Sequence, residues 1–353
     1  MLDTAQANGE RGALAVCSTH DAARAAAAAA EACGPTHLAM HLGVDNGLGV
    51  VRATGDGDAL AAAMGPHANT ALHLTAERAL LRHRRTWELG EPTPGITMLF
   101  STRARSGLSA DDYHRYWERE HGPRALRHHL GMWDYTQVSV TRTLYGEHVD
   151  GFAVTQWPCD EDLAQRFTDG PAGRAVIEQD AARFTDLRIL ERQRVDSRTL
   201  VDAPWPTTGT VEITDARHLE LDRCADDIWR VIGRFDALPS WWPGGFVGCT
   251  ASSERGIGMT RTLSREDGSS VVERLIELRP DERMLQLVVD EGMETPFASY
   301  TCRYEIRPLG EARCRLDWYP RAVMHADGIA AFGALVDRSW PIIAAGLVQH
   351  AVD

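Results

Sequence analysis

No lysine occurs anywhere in the 353 residues; all 37 basic side chains are arginine. Schiff-base chemistry, a pyridoxal-phosphate anchor and a phosphate-loop NTPase each require a lysine amine, and all three are excluded. A GC-rich genome is the plain cause of such a bias, and the exclusion holds whatever the cause. Gly-x-Ser-x-Gly and Gly-x-Gly-x-x-Gly are both missing, so neither a nucleophile-elbow hydrolase nor a simple dinucleotide fold is supported. Metal signatures are absent too, with no His-Glu-x-x-His and no cysteine cluster; His37-x-x-x-His41 falls in a strand pattern, where i and i+4 lie too far apart to share an ion. The seven cysteines are an odd set without a C-x-x-C pair, the usage of reduced packing thiols.

Positive charge is scarce as well. Arginine against Asp+Glu gives 37 − 50 = −13, the wrong sign for a phosphate-binding surface, which argues against nucleic acid as a partner. Unbroken apolar runs stay far short of a membrane span, and Asp3 and Glu10 stand where a signal core would lie. The chain reads as cytoplasmic, with no membrane partner.

What is present begins with Leu108–Arg124. Ser109 is a helix N-cap, Asp111 and Asp112 suit the first turn, and Tyr113, Tyr116, Trp117 and His121 share one helical face. Gly122-Pro123 is read as the stop. Around this stretch the order β-α-β-β-α-β occurs twice. The first copy has strands near 13–17, 37–42, 49–52 and 78–88, with helices after Asp21 and over 59–64. The second has strands at 96–102, 133–144, 151–157 and 187–195, with helices over 109–121 and 160–184. Gly57-Asp-Ala-Leu-Ala aligns with Asp160-Glu-Asp-Leu-Ala, which marks an internal repeat whose two sheets are expected to pack face to face. The first copy lacks the aromatic stripe and is read as a structural partner.

Leu108-Ser-x-x-x-Tyr-x-x-Tyr-Trp-x-x-x-His-Gly-Pro, followed by Tyr135-x-Gln137, Asp150-Gly151 and Asp180-x-x-x-Phe184, resembles an EthD-type dimeric α/β barrel domain over roughly 95–200. Such domains dimerise to complete a barrel, and the upstream copy implies closure within this chain. Relatives include cyclases, decarboxylases and isomerases, so the resemblance implies a cleft more than a reaction. Some tandem α/β barrels bind haem, but no histidine is singled out for it here.

Ala203-Pro-Trp-Pro-Thr-Thr-Gly209 is a connector. Beyond it come a strand over 211–221, a helix capped by Asp222, six antiparallel-type strands (247–252, 258–264, 271–278, 284–289, 300–307, 314–319) with an Asp267-Gly268 hairpin turn, and a final helix over 327–351 interrupted by Pro341. Phe235-Asp-Ala-Leu-Pro-Ser-Trp-Trp-Pro243, Gly256-Ile-Gly-Met-Thr-Arg261 and Asp267-Gly-Ser-Ser-Val-Val-Glu-Arg274 resemble the polyketide cyclase/START-like superfamily, which implies a helix-grip fold. The fold class is thus α+β: tandem ferredoxin-like repeats forming an intramolecular α/β barrel, then a helix-grip antiparallel domain. The expected division is a loose tail 1–11, a degenerate repeat 12–94, an EthD-like repeat 95–202, a linker 203–209 and the helix-grip domain 210–353.

Candidate chemistry falls in both halves. His121 is the candidate base and Tyr135 the donor to an enolising carbonyl; the competing reading of His121 is a buried residue ending a core stripe. Tyr113, Trp117 and His128 line the same region as candidate substrate contacts. In the helix-grip half, Glu273 is either a desolvated acid–base group or the partner of Arg261 in a structural ion pair. Trp241 and Trp242 form a lid or a plug, and Tyr300 and Trp318 complete the candidate wall, Trp318 being better suited to the core than to contact. Two apolar interiors with a few proton-handling groups fit a cofactor-free cyclase or aromatase, closing a hydrophobic poly-carbonyl or phenolic intermediate of secondary metabolism by aldol chemistry. An acyl-carrier protein would deliver the substrate to a monomer or homodimer. The alternatives are a carrier for a hydrophobic aromatic metabolite, and an EthD-like isomerase or decarboxylase.

Overall fold

The computed structural model describes residues 10–350 apart from 189, 207, 243–244 and 294–295. The loose tail therefore lies almost wholly outside the described residues, as does Pro243. The chain divides into two compact units, Met1–Pro204 and Trp205–Asp353.

In the first unit, β1 (Glu10–Cys17), α1 (His20–Glu31), β2 (His37–Gly43), β3 (Gly49–Thr54), α2 (Gly57–Met64) and β4 (Ala71–His83) form one β-α-β-β-α-β repeat. The second repeat comprises β5 (Ile96–Thr102), α3 (Ala110–Tyr116), a π-helical turn Trp117–His121, α4 (Gly122–His128), β6 (Asp134–Tyr145), β7 (Gly151–Trp157), α5 (Asp160–Gln165), α6 (Pro171–Phe184) and β8 (Glu191–Val201). The strands close in the order β1-β3-β2-β8-β5-β7-β6-β4, and β4 pairs back on β1. The repeats meet edge to edge, through β2–β8 and β4–β6, so one closed barrel forms from a single chain.

The two repeats bury different surfaces under their helices. Thr19 caps α1, rather than Asp21, by accepting from the Ala22 N–H at 3.1 Å. Ala23, Ala26, Ala27 and Ala30 then bring α1 down onto Ala13, Ala15, Leu38, Met40 and Val51, an interface made only of small and aliphatic side chains. The second repeat puts Tyr113, Trp117, Tyr135 and Phe184 there instead. Chemistry-bearing side chains under the helices therefore lie in the second copy.

Inside the barrel, Leu14, Val50, Leu99, Val138, Phe152, Val154 and Val195 form an apolar cluster. Beside them runs a buried polar chain. The Arg52 Nε–H donates to His41 Nε2 at 3.1 Å, Arg52 pairs with Glu77, and His41 Nδ1 lies 2.9 Å from Ser197 Oγ. Since Arg52 can only donate, the Nδ1–H of His41 must point at Ser197, and His41 cannot serve that serine as a base. Burial, helped by the Arg52 charge, pushes His41 well below the usual histidine range.

This polar lining explains the largest strand correction. The sequence pattern places a closing strand at 78–88, whereas β4 spans Ala71–His83. His73, Thr75 and Glu77 are buried on it while Leu72 and Leu74 pack with the cluster under the helices, so both faces of the strand are covered and alternation misleads. The closing strand of the second repeat likewise runs Glu191–Val201 instead of 187–195.

Asp134, at the start of β6, accepts the His83 backbone N–H at 2.9 Å. Burial pushes its carboxyl up to about 6, against the opposing pull of that hydrogen bond and of Arg82. The folded state thus binds this proton more tightly than the unfolded chain, so this group's contribution to stability falls as pH rises from about 4 to about 6. Asp134→Asn keeps an acceptor for His83 and is expected to flatten that fall, measured as urea midpoints on either side of the window.

The second unit opens with β9 (Thr210–Thr214) and β10 (Arg217–Leu221), which replace the single strand expected over 211–221. Next come α7 (Ala225–Ile232), N-capped at Cys224 rather than Asp222, and the short α8 (Leu238–Trp241). The strands β11 (Phe246–Ala251), β12 (Thr260–Arg265), β13 (Ser270–Arg279), β14 (Met284–Glu291), β15 (Phe297–Gly310) and β16 (Arg313–His325) follow, all antiparallel neighbours in sequence, with β9 and β10 both paired to β16. Gly268 adopts φ +81° in the β12–β13 hairpin, where Asp267 Oδ1 accepts the Ser269 N–H at 2.9 Å.

The long helix α9 (Ile329–His350) lies against this sheet and carries Pro341 inside it. Phe332, Val336, Ile343 and Leu347 are fully buried against Ile213, Ile228, Leu316 and Trp318, the arrangement of a helix grip. By length and composition the stretch 326–349 is apolar enough to cross a membrane, although Asp337 and Arg338 break it into shorter apolar runs. In the fold its apolar stripe is core.

Candidate functional sites

Ser109 caps α3 as expected, accepting the Asp112 N–H at 3.1 Å. The helix does not stop at Gly122-Pro123. A proline at 123 has no N–H for the carbonyl four residues back and its ring crowds that carbonyl, so an ordinary α-helix is strained there. The chain widens into the π turn Trp117–His121, in which Gly122 N–H reaches the Trp117 carbonyl, and α4 then carries the proline in its first turn. Gly122 lets this turn approach the sheet: a Cβ there would meet Leu80 Cδ1 at 2.8 Å.

Two clusters grow from the turn. In the outer one, His121 Nδ1 lies 2.8 Å from Asp180 Oδ2 on α6. Tyr116 donates to Asp180 Oδ1 at 2.7 Å, Arg124 donates to the same oxygen, and the His121 ring packs 4.9 Å from Phe184. Burial works to raise the Asp180 carboxyl, but hydrogen bonds from His121 and Tyr116 and the charges around it outweigh burial and hold it at about 2. An ionised Asp180 only accepts, so His121 must carry its proton on Nδ1. In the neutral ring Nε2 then presents a lone pair, and no hydrogen bond to it is found among the described residues. Asp180 lies 59 positions from His121, and only the Asp180-x-x-x-Phe184 motif points to it in the sequence.

In the inner cluster, Tyr135 does not join His121. Its hydroxyl oxygen accepts from Trp117 Nε1–H and from Gln137 Nε2–H, both at 3.1 Å. Burial pushes this phenol up to about 12. Tyr113 is fully buried with its hydroxyl on Thr102, 2.5 Å away, which makes it a packing residue. His128 Nδ1 is 2.9 Å from Asp169, and His129 is buried on the Phe167 carbonyl, so the adjacent histidines are each engaged with separate partners. Gly151 on β7 supports the Trp117 ring, whose Cζ3 would lie 2.4 Å from a Cβ at that position. Gly151→Ala is therefore expected to displace Trp117 and destabilise the chain by about 1–3 kcal/mol, the usual cost of overpacking, as read by denaturant midpoints.

In the second unit, Arg261 and Glu273 face each other across β12 and β13. Arg261 Nε donates to Glu273 Oε2 at 2.6 Å, its Nη1 donates to the Phe235 carbonyl at 2.7 Å, and its guanidinium lies 4.2 Å from the centre of the Phe235 ring. Of the two readings of Glu273, this geometry is that of the paired carboxylate. Tyr300, Cys302 and Tyr304 line β15 within the same core; burial pushes both phenols well above their usual range. Trp318 donates its indole N–H to Cys302 and stacks on Trp340 at 5.8 Å, a core position rather than a ligand wall. Trp241 is buried and Trp242 half-buried, edge to face at 6.0 Å, and neither indole N–H has a hydrogen-bond partner among the described residues. Among the described residues no group of three or more His, Cys, Asp or Glu side chains is arranged to hold a metal ion.

A tandem α/β barrel joined to a helix-grip module defines the class. Residues 105–188 match the EthD domain, and residues 210–345 match the family described as polyketide cyclase / dehydrase and lipid transport. The two matches fall one in each compact unit. Similar solved structures include norcoclaurine synthase from Thalictrum flavum in complex with dopamine and hydroxybenzaldehyde, at 20% identity over 40% of this chain and 86% of that one, with a TM-score of 0.35. The Zhui aromatase/cyclase from Streptomyces sp. R1128 is 15% identical over 40% of this chain and 93% of that one, with a TM-score of 0.34. XoxI from Bacillus cereus is 18% identical over 40% and 96%, with a TM-score of 0.34. No curated protein matches the chain.

Proposed function

We propose that the protein is a cofactor-independent cyclase that closes a hydrophobic poly-carbonyl intermediate by aldol chemistry followed by dehydration. The observation that carries this reading is the His121–Asp180 pair. Aldol closure begins with removal of a proton beside a carbonyl, and an imidazole oriented through Nδ1–H by an ionised carboxylate directs Nε2 to take it. The proton moves from the substrate carbon to Nε2, the enolate carbon attacks a second carbonyl, and the same imidazolium can return the proton to the new alkoxide.

The family of the second unit supports a cyclase or ligand-binding role. Delivery of substrate by an acyl-carrier protein and a cytoplasmic location, where the seven free cysteines would stay reduced, belong to the same proposal. Incubating poly-carbonyl intermediates with the wild type, His121→Ala and Glu273→Gln tests it. A product ratio that wild type shifts and His121→Ala does not is expected. An identical product mixture with all three proteins and with buffer would leave a carrier as the function.

A further inference from the structure

We infer that Gln137 is a positioning residue, the clamp that holds the π turn open and so sets His121 on Asp180. The inference rests on the reading of His121 as the base. The geometry is specific to a carboxamide. Gln137 is buried on β6, and its Nε2 carries two hydrogens with two acceptors in reach: the Trp117 carbonyl at 3.0 Å and the Tyr135 hydroxyl oxygen at 3.1 Å.

The first of these contacts falls on the carbonyl that defines the turn. Trp117 O already receives the Gly122 N–H in the wide i to i+5 pattern, and Gln137 supplies its second donor. An α-helical return to i+4 would direct that carbonyl at the His121 N–H, rotate the following residues and take His121 out of line with Asp180. The second contact ties the same amide to Tyr135, whose oxygen also accepts from the Trp117 indole. Backbone, indole and phenol at Trp117 and Tyr135 are thus fixed by a single side chain from the sheet. With both lone pairs of the Tyr135 oxygen filled, its own O–H is left to donate elsewhere.

The test uses the full-length chain and two variants. Gln137→Met keeps the volume and removes both donors; Gln137→Glu keeps the shape and replaces the donors with acceptors. The direct readout is nitrogen and proton NMR of the His121 ring. Wild type is expected to show the Nδ1–H tautomer with an exchange-protected Nδ1–H resonance. Both variants, folded by circular dichroism, are expected to lose that protection and mix tautomers, with kcat lowered at least ten-fold and KM changed less than three-fold. A protected Nδ1–H and wild-type kcat in either folded variant would overturn the assignment. If wild type turns over no poly-carbonyl substrate, the reading of His121 as base fails on its own, while the NMR comparison still decides whether Gln137 sets the ring. Should Gln137→Met not fold, Gln137→Glu carries the comparison; failure of both to fold would mark Gln137 as a stability residue and reject the positioning role.

Discussion

Asp180→Asn is expected to lower kcat for ring closure by about 10²-fold or more, within the range that positioned acid–base groups supply, and to leave KM nearly unchanged. The carboxamide matches the carboxylate in size, so Tyr116, Arg124 and Phe184 keep their packing, and the change acts on the imidazole. An asparagine can offer its N–H₂ to Nδ1, which would drive the His121 proton to Nε2 and block the lone pair that takes the substrate proton. The same substitution has a stability signature. With its carboxyl held at about 2, Asp180 contributes stability that is fully present above its unfolded value near 4 and is lost as pH falls through about 2. Asp180→Asn should remove that part of the acid transition, which urea midpoints between about pH 5 and pH 2 would show. Unchanged kcat in a folded Asp180→Asn protein would mean that the pair is structural.

The second large effect concerns the helix-grip core. Arg261→Met is expected to destabilise the protein by roughly 3–5 kcal/mol, because it strands a poorly exposed Glu273 carboxylate without its counter-charge. It also removes the donor to the Phe235 carbonyl and the cation above the Phe235 ring. Pairing the change with Glu273→Leu should restore most of the loss, since two apolar side chains in place of a buried ion pair are often neutral. Calorimetric unfolding of the three variants checks this, and additive losses in the double variant would contradict the pairing argument.

Much of the architecture was legible because local signals agreed with the fold. Ile96–Thr102 and Gly151–Trp157 fall to the residue where the apolar pattern places them. The doubled β-α-β-β-α-β order was readable from the repeat, and closure of one barrel from a single chain is what the EthD resemblance implies once an upstream copy is present. Readings failed where burial did not follow alternation. β4 was displaced because His73, Thr75 and Glu77 are buried polar residues, the last paired with Arg52. The expected helix stop at Pro123 failed for a different reason: a π turn can absorb the proline, and nothing local distinguishes that outcome from a break.

The candidate residues come from pattern, and of their pairings only Arg261 with Glu273 does. His121, Tyr135, Arg261 and Glu273 were named from pattern, and the Arg261–Glu273 pair follows from strand register. The joining of His121 to Asp180, and of Tyr135 to Trp117 and Gln137, depends on how α6 and β6 come against the π turn, which no short spacing encodes.

Single-turnover ring closure at matched occupancy tests the central claim most directly. With protein in excess over a poly-carbonyl thioester, and equal binding of wild type and His121→Ala verified by tryptophan quenching, closure is followed by the appearance of the aromatic chromophore. A rapid phase in wild type that is slowed about 10²–10⁴-fold in His121→Ala is the expected result. Equal closure rates at equal occupancy, no faster than in buffer, would show that the protein binds its guest without transforming it.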